Sequence, residues 1–433
     1  MSTMDRRTFL KTTGAGALGA TALLSACGSD DGSAPGGPTS VRYAWWGNNI
    51  RQQNYTTALE LFQEEHPDIT IETEFAEYTA FQERMTTQMA ARDVPDIFWI
   101  ASAQVMTYEK NGLYRSLEGL DALDLSDFSD QDIEFFKLNG ELNTMPHGSF
   151  VPVVRYNQTY LEEDGYELPG DADWTWENLA DFLIDYNDNN PNGRRGLPYD
   201  ADHDISFEAW LRQHGQQLWT EDGEMGFDAE ALAGWFEWWE RLRTAGAALS
   251  ISEQDGIGPD WAEVGERVLV KFGSSNHIID EAQVFPDSTF KLRPAPAIPD
   301  AAAGHKFIYY PRLAVYQGID DAQAQAAASV VSFNINSVDF LKTVGLTMGA
   351  PPNPRLLQEA YEFASDDEQE MLAVVESETD AERSPRYEAP AGTSTWRTVM
   401  SRAAEEIALE RSGIAEASEA MIAEIQAGID QEK

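Results

Sequence analysis

Val41-Arg42-Tyr43-Ala44-Trp45-Trp46-Gly47-Asn48-Asn49 is the stretch from which the fold can be read. An apolar, aromatic-rich run halted by Gly and Asn predicts a strand that empties into a loop. Tyr55 to Glu65 follows with helical spacing: Ala58, Leu59 and Phe62 share a face, and Pro67 stops the helix. Ile69 to Phe75 alternates as a second strand, and Tyr78 to Arg92 carries Phe81, Met85 and Met89 at helical spacing. Pro95 to Ile100 reads as a third strand, ending near the small polar residues Ser102 and Gln104. Strand, helix and strand in this order predict an α/β fold with a parallel sheet whose strand-end loops are open to ligand. Helices are expected at Phe207 to Leu218, Asp228 to Thr244, Ala322 to Phe333 and Ile414 to Ile429. Strands are expected at Val268 to Phe272 and Phe307 to Tyr316. No repeat with a period of roughly 20–50 residues is present.

The outer bounds come from composition. A chain of 433 residues suggests two lobes rather than one core. With 42% hydrophobic and 11% aromatic residues it can fill large cores, which argues against disorder. The net charge is -44, from 74 acids against 30 bases. That balance excludes non-specific binding to nucleic acid or to anionic membrane by the body of the protein. It fits a solvated acidic surface in high salt, where self-repulsion is screened over about 3 Å, as in an exported protein of a halophile.

The first residues read as an address. Arg6-Arg7 followed by Thr8-Phe9-Leu10-Lys11 resembles a twin-arginine export signal. The Gly/Ala-rich run from about Gly14 to Ala26 is shorter than the ~20 residues a membrane span needs. Leu24-Ser25-Ala26-Cys27 resembles a lipobox, and Cys27 is the only cysteine of the chain. The expectation is a signal over residues 1–26, acylation of Cys27 and a Gly/Pro/Ser linker over 27–40. With Cys27 acylated no disulfide forms, so stability must come from the core.

Later blocks carry a family resemblance. Trp45-Trp46-Gly47 with Arg51-Gln52 resembles a first strand ending in Trp-Trp-Gly before an Arg-His pair. Pro95-Asp96-Ile97 follows an Ala-rich helix, and Met145-Pro146 opens a crossover ending in Tyr156-Asn157. Trp174-Thr175-Trp176-Glu177-Asn178-Leu179, the Gly215 to Phe227 segment, Gly273-Ser274-Ser275-Asn276-His277 and Gly349-Ala350-Pro351-Pro352-Asn353 complete seven blocks in family order. Together they resemble the family 1 extracellular solute-binding proteins, the maltose-binding-protein-like, sugar-capturing subunits of ABC importers. The chain departs from the family at Ser275 and His277, where much of the family carries Trp.

The resemblance implies a two-lobed, periplasmic-binding-protein-like fold of class II, with ligand held between α/β lobes joined by three hinge crossovers. Lobe one would hold residues 41–147 plus 313–348, and lobe two residues 150–312 plus 350–433. Hinges would lie near His147–Phe150, Tyr310–Leu313 and Gly349–Pro352, where Gly or Pro lets the chain change direction. The expected ligand is a sugar or oligosaccharide. Its apolar faces suit flat aromatics, and its hydroxyls suit planar polar groups. By matching position, Trp46, Asn48, Tyr78, Ser102, Gln104, His147, Ser149, Phe150, Ser275, Asn276, His277, Tyr310, Arg312 and Trp396 would line the cleft. Trp45 and Trp46 are adjacent in a strand, so one can be core while the other reaches ligand.

Other motifs argue for bland roles. Trp235, Trp238 and Trp239 stand at i, i+3 and i+4, which marks a core stripe. Asp188-Asn190-Asn192-Gly193 imitates the start of a calcium loop, but Tyr199 stands where its Glu belongs, so no metal and no cofactor are expected. The expected function is capture and presentation to a permease by a monomeric, lipid-anchored protein on the extracellular face. The alternatives are a secreted carbohydrate-active enzyme, or binding of a peptide, polyamine or siderophore. The lining expected at the strand ends is polar and mostly neutral, which favours reversible binding over hydrolysis.

Overall fold

A computed structural model describes residues 38–256, 264 and 267–433. The export and lipidation readings, centred on Arg6-Arg7 and Cys27, lie outside the described residues. Two sheets organise the rest. The first contains β1 (Thr39–Trp46), β2 (Ile69–Ala76), β3 (Ile97–Ile100), β4 (Met145–Pro146) and, from far along the chain, Arg312–Val315. The second contains β5 (Pro152–Asn157), β6 (Val270–Ser274) and β7 (Phe290–Pro294), so Arg312–Val315 is β8. Strand order is β2-β1-β3-β8-β4 in one sheet and β6-β5-β7 in the other.

The parallel-sheet expectation holds for three strands only. β1 runs parallel to β2 from Thr39↔Ile69 to Trp46↔Ala76, and parallel to β3 at Tyr43↔Ile97. β8 enters antiparallel to both β3 and β4. It arrives by a crossing from the other sheet rather than through a helical crossover, so its direction is not fixed by βαβ geometry. In the second sheet β5 is antiparallel to both neighbours.

Several boundaries differ from expectation for local reasons. The strand expected over Phe307 to Tyr316 shrinks to Arg312–Val315. Pro311 has no N–H to give a ladder. The helix expected from Phe207 begins at Asp204, because His203 caps it through the Ser206 N–H. It ends at Gln213, ahead of Gly215 at φ +76°. The first helix, Asn49–Glu65, starts earlier than its apolar stripe because Asn48 accepts the Arg51 N–H.

Core packing divides in the same way as the sheets. One core gathers residues between Val41 and Met145 with residues between Leu313 and Val344. β5 separates two others by the alternation of a strand: Val154 faces the tryptophan-rich core and Val153 the core of Phe290, Leu292 and Leu372. Trp235, Trp238 and Trp239 are all buried there, with Trp176 and Phe272 against them.

Between the sheets three segments cross side by side. His147 N–H donates to Pro311 O at 3.0 Å, and Phe150 and Tyr309 exchange both backbone bonds at 3.1 and 2.9 Å. Ser149 and Ala350 do the same at 2.8 Å each way. The crossing is too tight for side chains at two positions. A Cβ on Gly148 would sit 2.0 Å from Met348 O, and one on Gly349, at φ +96°, would sit 2.2 Å from Ser149 O.

Candidate functional site

A cavity of about 360 Å³ opens beside these crossing segments, walled by residues from both sheets' ends. β1 delivers Trp46 to it. Trp45 turns inward and is fully buried, while Trp46 is half-buried, as strand alternation requires. The Trp46 ring is fixed edge-on to Trp99 at 5.0 Å and to Tyr78 at 5.5 Å. Tyr78 begins helix Tyr78–Ala91 and is 41% exposed, so the pair puts a partly exposed aromatic surface at the cavity. Ser102, on the loop after β3, joins that side.

The crossing segments supply the floor. Phe150 and Tyr309 stack at 4.8 Å and 12°, and both line the cavity with Tyr310 and Arg312. Burial pushes the Tyr309 phenol up to about 12, so it stays a hydrogen-bond donor at neutral pH. Arg312 is committed to the fold: it donates to Phe136 O at 2.7 Å and Thr144 Oγ1 at 3.1 Å, and pairs with Glu388 at 3.3 Å. Glu388 also takes Arg386 at 3.1 Å, and Arg386 takes Glu208 at 3.0 Å. A chain of four alternating charges therefore ties β8 to helix Asp204–Gln213 behind the cavity.

Other elements add polar lining. His203 and Asp204 begin that helix, His277 begins helix His277–Val284, and Arg397 lies in the first turn of helix Trp396–Ala408. Asp204 and Arg397 form an ion pair. Burial lowers the His277 imidazole to about 3, and the His203 imidazole beside it is lowered by the same cause. Both rings are neutral at neutral pH. Because His203 Nδ1 accepts the Ser206 N–H at 3.3 Å, its proton sits on Nε2. The absence of a Cβ at Gly273 leaves room for the His277 ring, whose Nδ1 would lie 3.1 Å from one.

Of the residues expected at the cleft, the cavity brings together Trp46, Tyr78, Ser102, Phe150, His277, Tyr310 and Arg312. The others stand elsewhere. Asn48 is exposed and spends its carbonyl on the Arg51 cap. Gln104 ends the short turn Ser102–Gln104, outside the cavity wall. His147 lies behind the wall against Trp99 at 4.3 Å; burial lowers it to about 3. Ser149 donates to Ala350 O at 2.9 Å, and Ser275 is buried against the Val151 backbone. Asn276 donates to Thr347 O at 2.9 Å, joining the second sheet's end to the late crossing segment. Trp396 is packed edge-on to Trp219 in the core, and its neighbour Arg397 faces the cavity instead.

Position matching at the second crossover also pointed to Tyr309, which lines the cavity, but it missed His203, Asp204, Glu388 and Arg397. The lining is therefore more charged than expected, with its charges internally paired. One signal was legible: Arg383-Ser384-Pro385-Arg386 is a basic run in a very acidic chain. The calcium-like run has structural duties: Asn190 accepts the Arg194 N–H at 2.8 Å and donates to Tyr186 O at 2.8 Å. Among the described residues no three His, Cys, Asp or Glu side chains are grouped as a metal ion requires. Nor is any helix long and apolar enough to cross a membrane.

Comparison with known proteins agrees with this geometry. Residues 57–370 match the family model described as bacterial extracellular solute-binding protein. A lactose-binding protein of Rhizobium radiobacter is 24% identical over 234 residues, 53% of this chain and 53% of the relative. The match thus spans about half the length of that curated relative. A periplasmic solute-binding protein of Pectobacterium atrosepticum superposes with TM-score 0.79 at 17% identity, over 91% of this chain and 99% of that one. A periplasmic oligogalacturonide-binding protein of Yersinia enterocolitica, in complex with saturated digalacturonic acid, gives TM-score 0.77 at 18% identity, over 90% and 98%. With the two-lobed α/β fold and the cavity at its crossing segments, the chain belongs to the bacterial extracellular solute-binding protein family.

Proposed function

We propose that this protein is the substrate-binding subunit of an ABC importer, capturing a sugar or oligosaccharide between its lobes and delivering it to a membrane permease. The observation that carries the reading is the cavity wall itself. The Trp46 and Tyr78 rings line the same cavity as the Asp204–Arg397 pair and two neutral imidazoles. Aromatic faces cover sugar C–H surfaces, and planar paired groups meet adjacent hydroxyls. The names of the Rhizobium relative and the Yersinia structure support a carbohydrate. The three crossing segments serve as hinges, and the lobes, residues 41–147 plus 313–348 and 150–312 plus 350–433, close on ligand as rigid bodies. The role is binding without catalysis, since the cavity's carboxylates, Asp204 and Glu388, are both held by arginines.

Calorimetry against a sugar panel in molar salt tests this reading. A member of the panel should bind, and Arg397→Gln should weaken it by about 1.5–3 kcal/mol, the worth of hydrogen bonds from a charged group. Intact ligand recovered after incubation is expected; cleaved product would favour a hydrolase. A panel with no binder in it would remove the sugar assignment. Export through the twin-arginine route and anchoring by acylated Cys27 belong to the same proposal. Cys27→Ser should then release the mature protein into the medium, and its retention on salt-washed membranes would defeat the anchor.

A further inference from the structure

A second cavity, of about 520 Å³, adjoins the first and shares Tyr310, Arg312 and Glu388 with it. Phe135 and Lys137, at the end of helix Asp130–Phe136, form one side; the strap of residues 383–388 forms the other. The strap is held in place. Buried Arg212 donates to Ser384 O at 2.8 Å and Pro385 O at 3.2 Å, and to His305 O at 3.1 Å. Arg383 also bridges to the His305–Lys306 backbone.

Nearly every charge on this wall is already matched. Lys137 pairs with Glu134 at 3.0 Å, and Arg312 and Arg386 share Glu388. Glu221 is hydrogen-bonded by the Tyr387 hydroxyl. Among the described residues Arg383 and Glu221 are the exceptions, each meeting only a tyrosine hydroxyl. The Arg383 guanidinium lies 5.1 Å from the Phe135 ring centroid and meets the Tyr310 hydroxyl, and among the described residues no carboxylate pairs with it. In a chain with 74 acids and 30 bases, a half-buried arginine facing a cavity without an acid partner is a vacant docking point for one. The planar fork of a guanidinium matches a carboxylate two bonds at a time.

We propose that this cavity is a second subsite of the same cleft and that it takes a carboxylate-bearing sugar unit, held by Arg383. The proposal rests on the sugar reading above and narrows it to an acidic oligosaccharide long enough to span both cavities. Each cavity lies in the size range of a small-ligand site. Phe135 and Tyr387 offer ring surface to the sugar body, and Glu221, the acid left on the wall, directs the carboxylate to the Arg383 end. The acidic body of the protein does not forbid an anionic ligand. Its repulsion is screened beyond about 8–10 Å at ordinary ionic strength, whereas the contact with Arg383 is short-ranged.

The test uses matched trimers of gluco, galacto and manno type, each as the neutral sugar and as the uronate, titrated at one fixed salt concentration. For the binding series, the uronate trimer should bind about 10–100-fold more tightly than its neutral counterpart. Arg383→Gln should remove that preference and leave the neutral trimer's affinity in place, and Arg383→Lys should keep part of it. Unchanged melting temperatures establish that the variants are folded. Equal affinity for the neutral and acidic trimers, or an Arg383→Gln variant that retains the preference, overturns the acidic subsite and leaves the sugar reading standing. Failure of every trimer to bind overturns both.

Discussion

Glu281→Gln is expected to cost about 3–5 kcal/mol of stability, because it leaves buried cations without their partner. Arg155 on β5 and Glu281 are 3% and 1% exposed and form an ion pair, and Lys271 on β6 reaches the same carboxylate at 3.6 Å. Glu281 sits one helical turn after His277, so the same pair that locks β5 to β6 also fixes the helix that presents His277 to the cavity. One other acid faces this cluster. Burial raises Asp200 to about 7, against the pull of Lys271 and Arg155, with Asp202 and Glu281 adding to the rise. An acid with a raised folded pKa gives stability that is present below its unfolded value near 4 and lost as pH rises towards 7. Removing Glu281 lowers Asp200's folded pKa, so the variant loses less over that span. The deficit should therefore be larger at pH 5 than at pH 8. Denaturant unfolding at the two pH values measures it; a deficit under 1 kcal/mol, or one that grows with pH, would show that the pair is not a buried anchor.

The segments that meet at the cavity could be read from the sequence; the individual residue facing it could be read at some of them, such as Trp46, Phe150 and His277, and not at others. β1 was legible to the residue, since strand alternation assigns Trp45 inward once Trp46 faces out. At the end of β6 the same alternation worked against the reading. Ser274 lines the cavity and Ser275 is buried, and a one-residue frame error exchanges the two faces. On the last-but-one helix, one step of about 100° separates core Trp396 from cavity-facing Arg397. The ion pairs Asp204–Arg397 and Arg386–Glu208 had no local signature, because their members are far apart in sequence and meet only through the fold. Position matching also favoured Ser149 in a crossing segment and Asn276 at the end of β6, yet both spend their polar groups on backbone carbonyls.

The tryptophans should separate by function in opposite directions. Trp238→Ala is expected to cost about 3–5 kcal/mol of stability, the range for emptying a buried aromatic site. Its ring is 5% exposed, lies edge-on to Trp176 at 5.3 Å and Phe272 at 5.7 Å, and donates its Nε1–H to Trp176 O at 3.0 Å. The truncation removes the ring together with its hydrogen bond to that carbonyl. Trp46→Ala should instead weaken sugar binding by about 1–3 kcal/mol, the worth of a large apolar side chain's burial. It should cost less stability, because its ring is only half-buried and borders the cavity, with Phe81 and Trp99 against it. Thermal melts paired with calorimetry on the best ligand distinguish the two. The expected pattern is crossed: folding lost at Trp238 with any folded fraction still binding, affinity lost at Trp46 with folding retained. If Trp46→Ala binds every sugar as the wild type does, the ligand does not rest on the end of β1, and the aromatic wall is only an edge of the core.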